Sequence, residues 1–299
     1  RPPRSTLFPY TTLFRLPASG KSDLAIKIAK VFNAYILSID SLSIYKEIDI
    51  VSAKPSKKEL EEVRHFGIDI LNPDEYFSVE IFLNLYKYVL LTCKREKKNL
   101  IIVGGTSFYL KSLLQGLSEI PKITKEVSLQ VQQKLKDLNE CYEFLCSIDG
   151  GYMKNISPND RYRIEKAMLI YEASKLSPSE WFIKNPPIPV INDLDIYNID
   201  VDRETLRERI KKRTAKMFEN GLIDEVCTLE RKYTRLPHSM SSIGIVEVLE
   251  YLDNKVSLEE MLENISTHTA QLAKRQQTFN RTQKIGRAHA ELQSPYDLV

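Results

Sequence analysis

The sequence predicts an α/β protein: a parallel sheet flanked by helices, with a helical insertion. Three observations predict it. Short apolar runs such as Tyr35–Ile39 and Leu100–Val103 have strand length and end at a polar residue or a glycine pair. Amphipathic helical stretches stand between them, and repeated strand–loop–helix units put strands side by side and parallel. From about Ser118 to Pro189 the pattern turns helical, and strand character returns only at Asp195–Val201.

The elements follow in order. Thr6–Phe14 is rich in Thr, Tyr, Phe and Leu and is compatible with a first strand. Asp23–Phe32 places Leu24, Ile28 and Val31 on one helical face. Tyr35–Ile39 is a short strand ending at Asp40, Val79–Lys94 reads as a helix, and Leu100–Val103 is a buried strand running into Gly104-Gly105. Glu126–Leu138 and Arg161–Ala173 are the clearest helices of the insertion, which closes at the proline-rich Asn185–Pro189. Arg203–Glu219, Leu222–Lys232, Ser242–Leu252 and Leu258–Arg281 read as further helices. In such a sheet ligands gather beyond the carboxyl ends of the strands. Ser19–Ser22, Asp40–Ser41 and Gly104–Thr106 all fall at such ends and are expected to converge on one crevice.

Composition excludes several classes. A chain of 299 residues, 42% hydrophobic and 28% charged, is that of an ordinary globular protein with one large domain or one domain carrying an insertion. No apolar run approaches the roughly 18 residues of a membrane span. No secretion signal is legible, so a cytoplasmic location is expected. Cys93, Cys141, Cys146 and Cys227 form no C-x-x-C pair and read as separate reduced thiols. The formal charge of +3 says little by itself, but Ser266–Gln283 holds Lys274, Arg275 and Arg281 and no acidic residue. Such a local basic face suits phosphates. Arg1–Arg15 and Ile285–Val299 resemble translated sequencing adaptor and are set aside from functional reasoning. The expected organisation is a core of 16–117 and 190–284, an insertion of 118–189 that contacts RNA, and foreign segments 1–15 and 285–299.

Ala18-Ser19-Gly20-Lys21-Ser22 is the second half of a G-x-x-x-x-G-K-[ST] phosphate loop. Backbone N–H groups and the following helix N-terminus cradle an anion there. Lys21 would reach the terminal phosphates and Ser22 would ligate Mg²⁺. The fold is then P-loop NTPase-like. The first glycine of the pattern should stand at position 15, where this chain has Arg15. The pattern specifies phosphate without specifying a nucleoside triphosphate.

The motifs that follow are more specific. Asp40-Ser41-Leu42-Ser43-Ile44-Tyr45 with Ala53-Lys54-Pro55 resembles the D-S-x-Q-x-Y … A-K-P signature of tRNA dimethylallyltransferases. His65–Pro73, Gly104-Gly105-Thr106-Ser107-Phe108-Tyr109, Asn159-Asp160 through Ala167, Met217–Val226 and Ser242-Ile243-Gly244 match further family motifs in order. Ala273–Arg281 is similar to the family's A-K-R-Q-x-T-W-x-R. Each match is weak alone, but the ordered set, from Ala18 to about Gln283, is highly specific. Ser43 replaces the usual glutamine, Phe279 the tryptophan, Ile245-Val246 the usual tyrosine and lysine, and Tyr162 and Lys166 the common Gln and Arg.

The resemblance implies transfer of a dimethylallyl group from its diphosphate to N6 of the adenosine 3′ of the anticodon in tRNA. It assigns Asp40 as general base, and Thr106 and Arg213 as catalytic groups at the leaving diphosphate. Ala18, Ser19, Gly20, Lys21 and Ser22 would bind diphosphate, with Mg²⁺ on Ser22. Asp40, Ser41, Leu42, Ser43, Tyr162, Arg163, Lys166, Lys274, Arg275, Gln276 and Arg281 would contact tRNA. A monomer acting on the anticodon stem-loop, away from any membrane, is expected. For Asp40 alone a turn cap or Mg²⁺-shell carboxylate is an equally good reading, and for Arg213 a solvated helix face. His65, His238 and His268 read as structural or surface residues, and Trp181 as core. Three rivals are a P-loop small-molecule or nucleotide kinase, a prenyltransferase acting on free adenine nucleotides, and an inactive tRNA-binding protein whose loop is damaged by Arg15.

Overall fold

A computed structural model describes residues 10–14, 21–191, 195–281 and 286–289. In chain order the elements are β1 (Tyr10–Phe14), α1 (Lys21–Val31), β2 (Ala34–Ser38), α2 (Lys57–Glu62), β3 (His65–Phe66), α3 (Val79–Glu96), β4 (Asn99–Gly104) and α4 (Ser107–Gln115). Then come α5 (Lys125–Lys134), α6 (Leu138–Met153), α7 (Arg161–Ser174), α8 (Pro178–Lys184) and β5 (Asp195–Asp200). The last are α9 (Arg203–Glu219), α10 (Leu222–Tyr233), α11 (Ile245–Leu252), α12 (Leu258–Arg281) and β6 (Gly286–His289), with a 3₁₀ turn at His238–Ser241. They divide into two compact units, Ser112–Val190 and the residues on either side of it.

The strands form one sheet in the order β3-β2-β4-β1-β5-β6, every pair parallel. The uninterrupted apolar run of β4 has a physical cause: Leu100, Ile101, Ile102 and Val103 are all buried, so both faces of the strand are covered. Ala25, Ile28 and Ala29 of α1 pack on Ile36, Ile101 and Val103. The chain passes from β1 to β2 on one side of β4, and later from β4 to β5 on the far side of β1. This reversal opens the carboxyl-end crevice that open parallel sheets offer to ligands.

The helix and strand bounds read from sequence shift by a few residues, with three larger differences. Glu126–Leu138 is not one helix: α5 stops at Lys134, and Asp137 caps α6 by accepting from Glu140 N. Ser242–Leu252 begins as a helix only at Ile245, because Gly244 at φ +97° breaks the run after the 3₁₀ turn. At the ends, Tyr10–Phe14 forms the first strand its composition allows, between β4 and β5, while Gly286–His289, read as no element, pairs with β5. Ladder hydrogen bonds come from the backbone, so a strand-compatible stretch can occupy a slot whatever its origin.

In the helical unit, Val131, Leu135, Leu145, Met153, Ile164 and Met168 form a buried core. Its polar groups close on one another. Asp149, at a non-helical kink in α6, accepts from Ser179 N at 2.7 Å and Ser179 Oγ at 2.9 Å. Buried Glu172 takes Lys134 and Lys175, each at 2.5 Å. Trp181, expected in the core, is half-buried and donates to the Glu119 carbonyl at 2.7 Å.

Candidate active site

The site starts where β2 and β4 end. Ile39 N donates to the Val103 carbonyl at 2.8 Å, extending the pairing one residue beyond β2. A side chain at Gly104 would sit 2.5 Å from Ile39 Cγ1 and 2.9 Å from its carbonyl carbon, so only glycine lets the two strand ends meet here. That approach delivers Asp40 to the crevice. Asp40 Oδ1 then accepts from Leu42 N at 2.9 Å and Ser43 N at 3.3 Å, an Asx turn that fixes the carboxylate at the strand end.

A cavity of about 570 Å³ opens at this point, lined by Asp40, Thr106 and Arg213 together with residues of α9 and α12. Its size is that of a small-ligand site. Thr106 lies just before α4, and its carbonyl accepts from Tyr109 N and Leu110 N. Arg213 reaches the cavity from α9. Burial pulls its pKa below the ordinary guanidinium value, and the negative charge of Asp40 opposes that shift. Arg213 makes no salt bridge or hydrogen bond among the described residues, so its charge remains available to an anion. Leu42, Val51, Met217, Ile265 and Leu272 supply apolar wall, and Ser41, Ser52 and Thr269 supply hydroxyl-bearing side chains.

Two carboxylates outside the chemistry hold this wall in place. Glu225, in the first turn of α10, accepts from three consecutive backbone groups: Asp49 N at 3.0 Å, Ile50 N at 2.8 Å and Val51 N at 3.0 Å. Buried Glu247 accepts from Gly244 N at 2.6 Å and lies 2.6 Å from His268 Nδ1. The first ties the 49–52 loop to α10, and the second ties the Ser242–Gly244 segment to α12. Lys54, only 6% exposed along its side chain, closes the same loop through the Tyr45 carbonyl, Asp49 and Asp69.

Of the residues expected from sequence, Asp40, Ser41, Leu42, Thr106, Arg213, Arg275 and Gln276 line this one cavity. Ser43 does not: it is 4% exposed and its hydroxyl pairs with Ser38 Oγ at 2.9 Å, because a short side chain here turns inward. The Ser43 side chain thus packs against Ser38 and is not part of the cavity wall. Lys274 is exposed and is not a cavity residue. Tyr162, Arg163 and Lys166 belong to α7 of the helical unit, where Tyr162 is 61% exposed with Lys166 Nζ 5.5 Å from its ring centre. Arg163 pairs with Asp160. Ala18, Ser19 and Gly20, and the side chains of Lys21, Ser22 and Arg281, lie outside the described residues. Glu225 and Glu247 escaped sequence reasoning, whereas His268, read as a structural or surface residue, pairs with Glu247. Glu225 lies inside the matched Met217–Val226 motif, and position in that motif was the available signal.

Comparison with known proteins decides the family. The IPP transferase family model matches residues 43–283. The chain belongs to the IPP transferase family. It is 70% identical over 282 residues to the tRNA dimethylallyltransferase of Sulfurimonas denitrificans, covering 94% of this chain and 95% of that protein. It is 53% identical to the tRNA dimethylallyltransferase of Sulfurovum sp., covering 89% of each. Among solved structures it is similar to a tRNA delta(2)-isopentenylpyrophosphate transferase from Staphylococcus epidermidis, with 33% identity and a TM-score of 0.69 over 96% of this chain and 94% of that one. A eukaryotic dimethylallyltransferase acting on tRNA gives a TM-score of 0.84 at 26% identity, over 96% of this chain and 75% of that one. The P-loop-like α/β architecture is thus that of family members, and Asp40, Thr106 and Arg213 stand within or beside the family motifs on the wall of its crevice.

Proposed function

We propose that the protein transfers a dimethylallyl group from dimethylallyl diphosphate to N6 of the adenosine immediately 3′ of the anticodon in tRNA, releasing diphosphate. The observation that carries this reading is one cavity holding a carboxylate, Asp40, and a half-buried guanidinium, Arg213, among apolar side chains. The reaction breaks the carbon–oxygen bond to diphosphate, whose electron pair leaves with it. The amine forms the new nitrogen–carbon bond and gives up one proton. Asp40 takes that proton, a role worth about 10²–10⁴-fold. Arg213 stabilises the charge on the leaving group, with Thr106 donating at the bridging oxygen and the Ala18–Ser22 loop and Lys21 holding the phosphates. The apolar wall receives the allyl group and excludes water.

Mg²⁺ binds hard oxygen ligands and is often held by one or two carboxylates plus substrate phosphates. The cavity offers one carboxylate beside hydroxyls, and no cluster of three or more His, Cys, Asp or Glu occurs among the described residues. That donor set fits Mg²⁺ arriving with diphosphate, with the Ser22 hydroxyl as its protein ligand. When bound, the ion would neutralise leaving-group charge.

A stacked loop adenosine must be extruded to reach the cavity. Ser41, Leu42, Arg275 and Gln276 would meet it there, and Tyr162, Arg163 and Lys166 would contact RNA from the helical unit. No helix among the described residues is long and apolar enough to cross a membrane. We read the protein as a cytoplasmic monomer.

The test is to incubate the protein with Mg²⁺, labelled dimethylallyl diphosphate and unmodified tRNA with an adenosine-rich anticodon loop, and count label in the RNA. The unaltered chain, Arg15→Gly and Arg15→Gly/Asp40→Ala run side by side. Transfer by Arg15→Gly that falls at least 100-fold in the Asp40 variant supports the reading. RNA binding without transfer, or phosphate transfer from ATP instead, would sink it.

A further inference from the structure

Among the described residues two buried side-chain polar atoms have no hydrogen-bond partner, Ser107 Oγ and Gln276 Oε1. Both belong to residues that line the cavity. An orphaned buried polar atom costs on the order of 1–3 kcal/mol, and folded proteins rarely leave one without a reason. Elsewhere the molecule closes its buried carboxylates: Glu172 on two lysines, Glu247 on Gly244 and His268. The coincidence of both orphans with one cavity makes ligand binding the reason. Each atom is occluded from water, so solvent does not satisfy it in place. Rotation of a terminal torsion, χ1 for Ser107 or the broad χ3 for Gln276, re-aims it from a side chain already on the cavity wall.

The two atoms ask for different partners. A glutamine carbonyl oxygen only accepts, so it needs an N–H or O–H from the ligand. The reacting amine carries two N–H groups and surrenders only one to Asp40. Ser107 instead stands directly after Thr106 in the first turn of α4, where backbone N–H groups and the helix dipole favour an anion. Its hydroxyl can donate.

We propose that Gln276 and Ser107 are specificity contacts of the two substrates: Gln276 Oε1 accepts the N–H that the acceptor amine retains, and Ser107 Oγ donates to the diphosphate. This rests on the prenyl-transfer reading above. Gln276 thereby reads the base as one bearing an amino group. A carboxamide is no base at neutral pH, so the proton it holds stays on the nitrogen and the product keeps one N–H.

The experiment uses the Arg15→Gly protein, Gln276→Met and Ser107→Ala in that background, and anticodon stem-loop RNAs with adenosine or purine riboside at the acceptor position. Binding constants for both RNAs and KM for dimethylallyl diphosphate are measured, with thermal melting as the folding control. Gln276→Met is expected to shrink the preference for adenosine over purine about three- to tenfold, leaving affinity for the purine RNA within twofold. Ser107→Ala is expected to raise KM for the diphosphate about three- to tenfold and leave the base preference alone. Neither should lower the melting temperature, since each removes an unpaired group. An undiminished adenosine preference in Gln276→Met overturns the base contact, and an unchanged diphosphate KM in Ser107→Ala overturns the other. A lowered melting temperature with both substrate constants unchanged would make the two residues structural. Failure of the Arg15→Gly protein to transfer label would instead defeat the reading beneath the proposal.

Discussion

The helical unit and the cavity of the sheet unit handle buried polarity in opposite ways. In the helical unit, Glu172 is nearly inaccessible and both its oxygens meet lysine ammonium groups. Asp149 caps the kink it creates, and Arg161 donates to the Leu135 carbonyl. At the cavity, Ser107 Oγ and Gln276 Oε1 have no hydrogen-bond partner among the described residues, and half-buried Arg213 faces the charge of Asp40 without an ion pair there. Burial of charge is costly unless it is compensated. The helical unit compensates within itself, whereas at the cavity the described residues leave it incomplete. Removing a polar group from the first should therefore cost stability, and from the second, activity.

The sharpest break of that contrast is Asp40→Asn in the Arg15→Gly background. The amide keeps an acceptor for Leu42 N and Ser43 N but no longer takes a proton. The expected loss is about 10²–10⁴-fold in single-turnover transfer, with RNA affinity changed far less. Comparable losses of rate and RNA affinity would make Asp40 a binding group. Arg213→Gln comes next, with a fall of about 10²–10³-fold in kcat/KM for the diphosphate and little change in melting temperature. Because no hydrogen bond or ion pair holds Arg213 among the described residues, a large drop in stability would contradict the contrast.

Glu225→Ala tests the wall. It strips the acceptor from three N–H groups, so the 49–52 loop should loosen and KM for both substrates rise about three- to tenfold, with a smaller change in kcat. A fall in kcat alone would place Glu225 in the chemistry. The smallest effect is expected from Glu172. Burial raises its pKa, but hydrogen bonds from Lys134 and Lys175 outweigh that and hold it below the ordinary carboxylate value. A depressed folded-state pKa means the contribution is present above the unfolded value of about 4.3 and lost as pH falls through the folded one. Chemical denaturation should show Glu172→Gln less stable by about 1–2 kcal/mol at pH 7, converging with the parent below pH 4. Unaltered transfer activity at 25 °C completes the expected result, and a pH-independent difference would refute the ion-pair origin.

The sequence determined the class of protein and most of its elements, and it singled out the residues proposed for the chemistry. Periodicity located α9 and α12 to the residue, because a 3.6-residue repeat over many turns is hard to mistake. Ordered motifs identified Asp40, Thr106 and Arg213 because each sits in a fixed local pattern. Short-range signals failed where the answer depends on distant partners. Nothing in the letters of Ser43 says that it turns inward to Ser38, or in those of Glu225 that three backbone groups of a loop 174–176 positions earlier converge on it. Nor could composition say that Tyr10–Phe14 would occupy the slot between β4 and β5, since ladder hydrogen bonds do not read side chains. Only tertiary structure decided which polar groups are satisfied by the protein and which are left without a partner among the described residues. Satisfaction is a property of distances between residues far apart in sequence, and the chain's local patterns do not encode those distances one residue at a time.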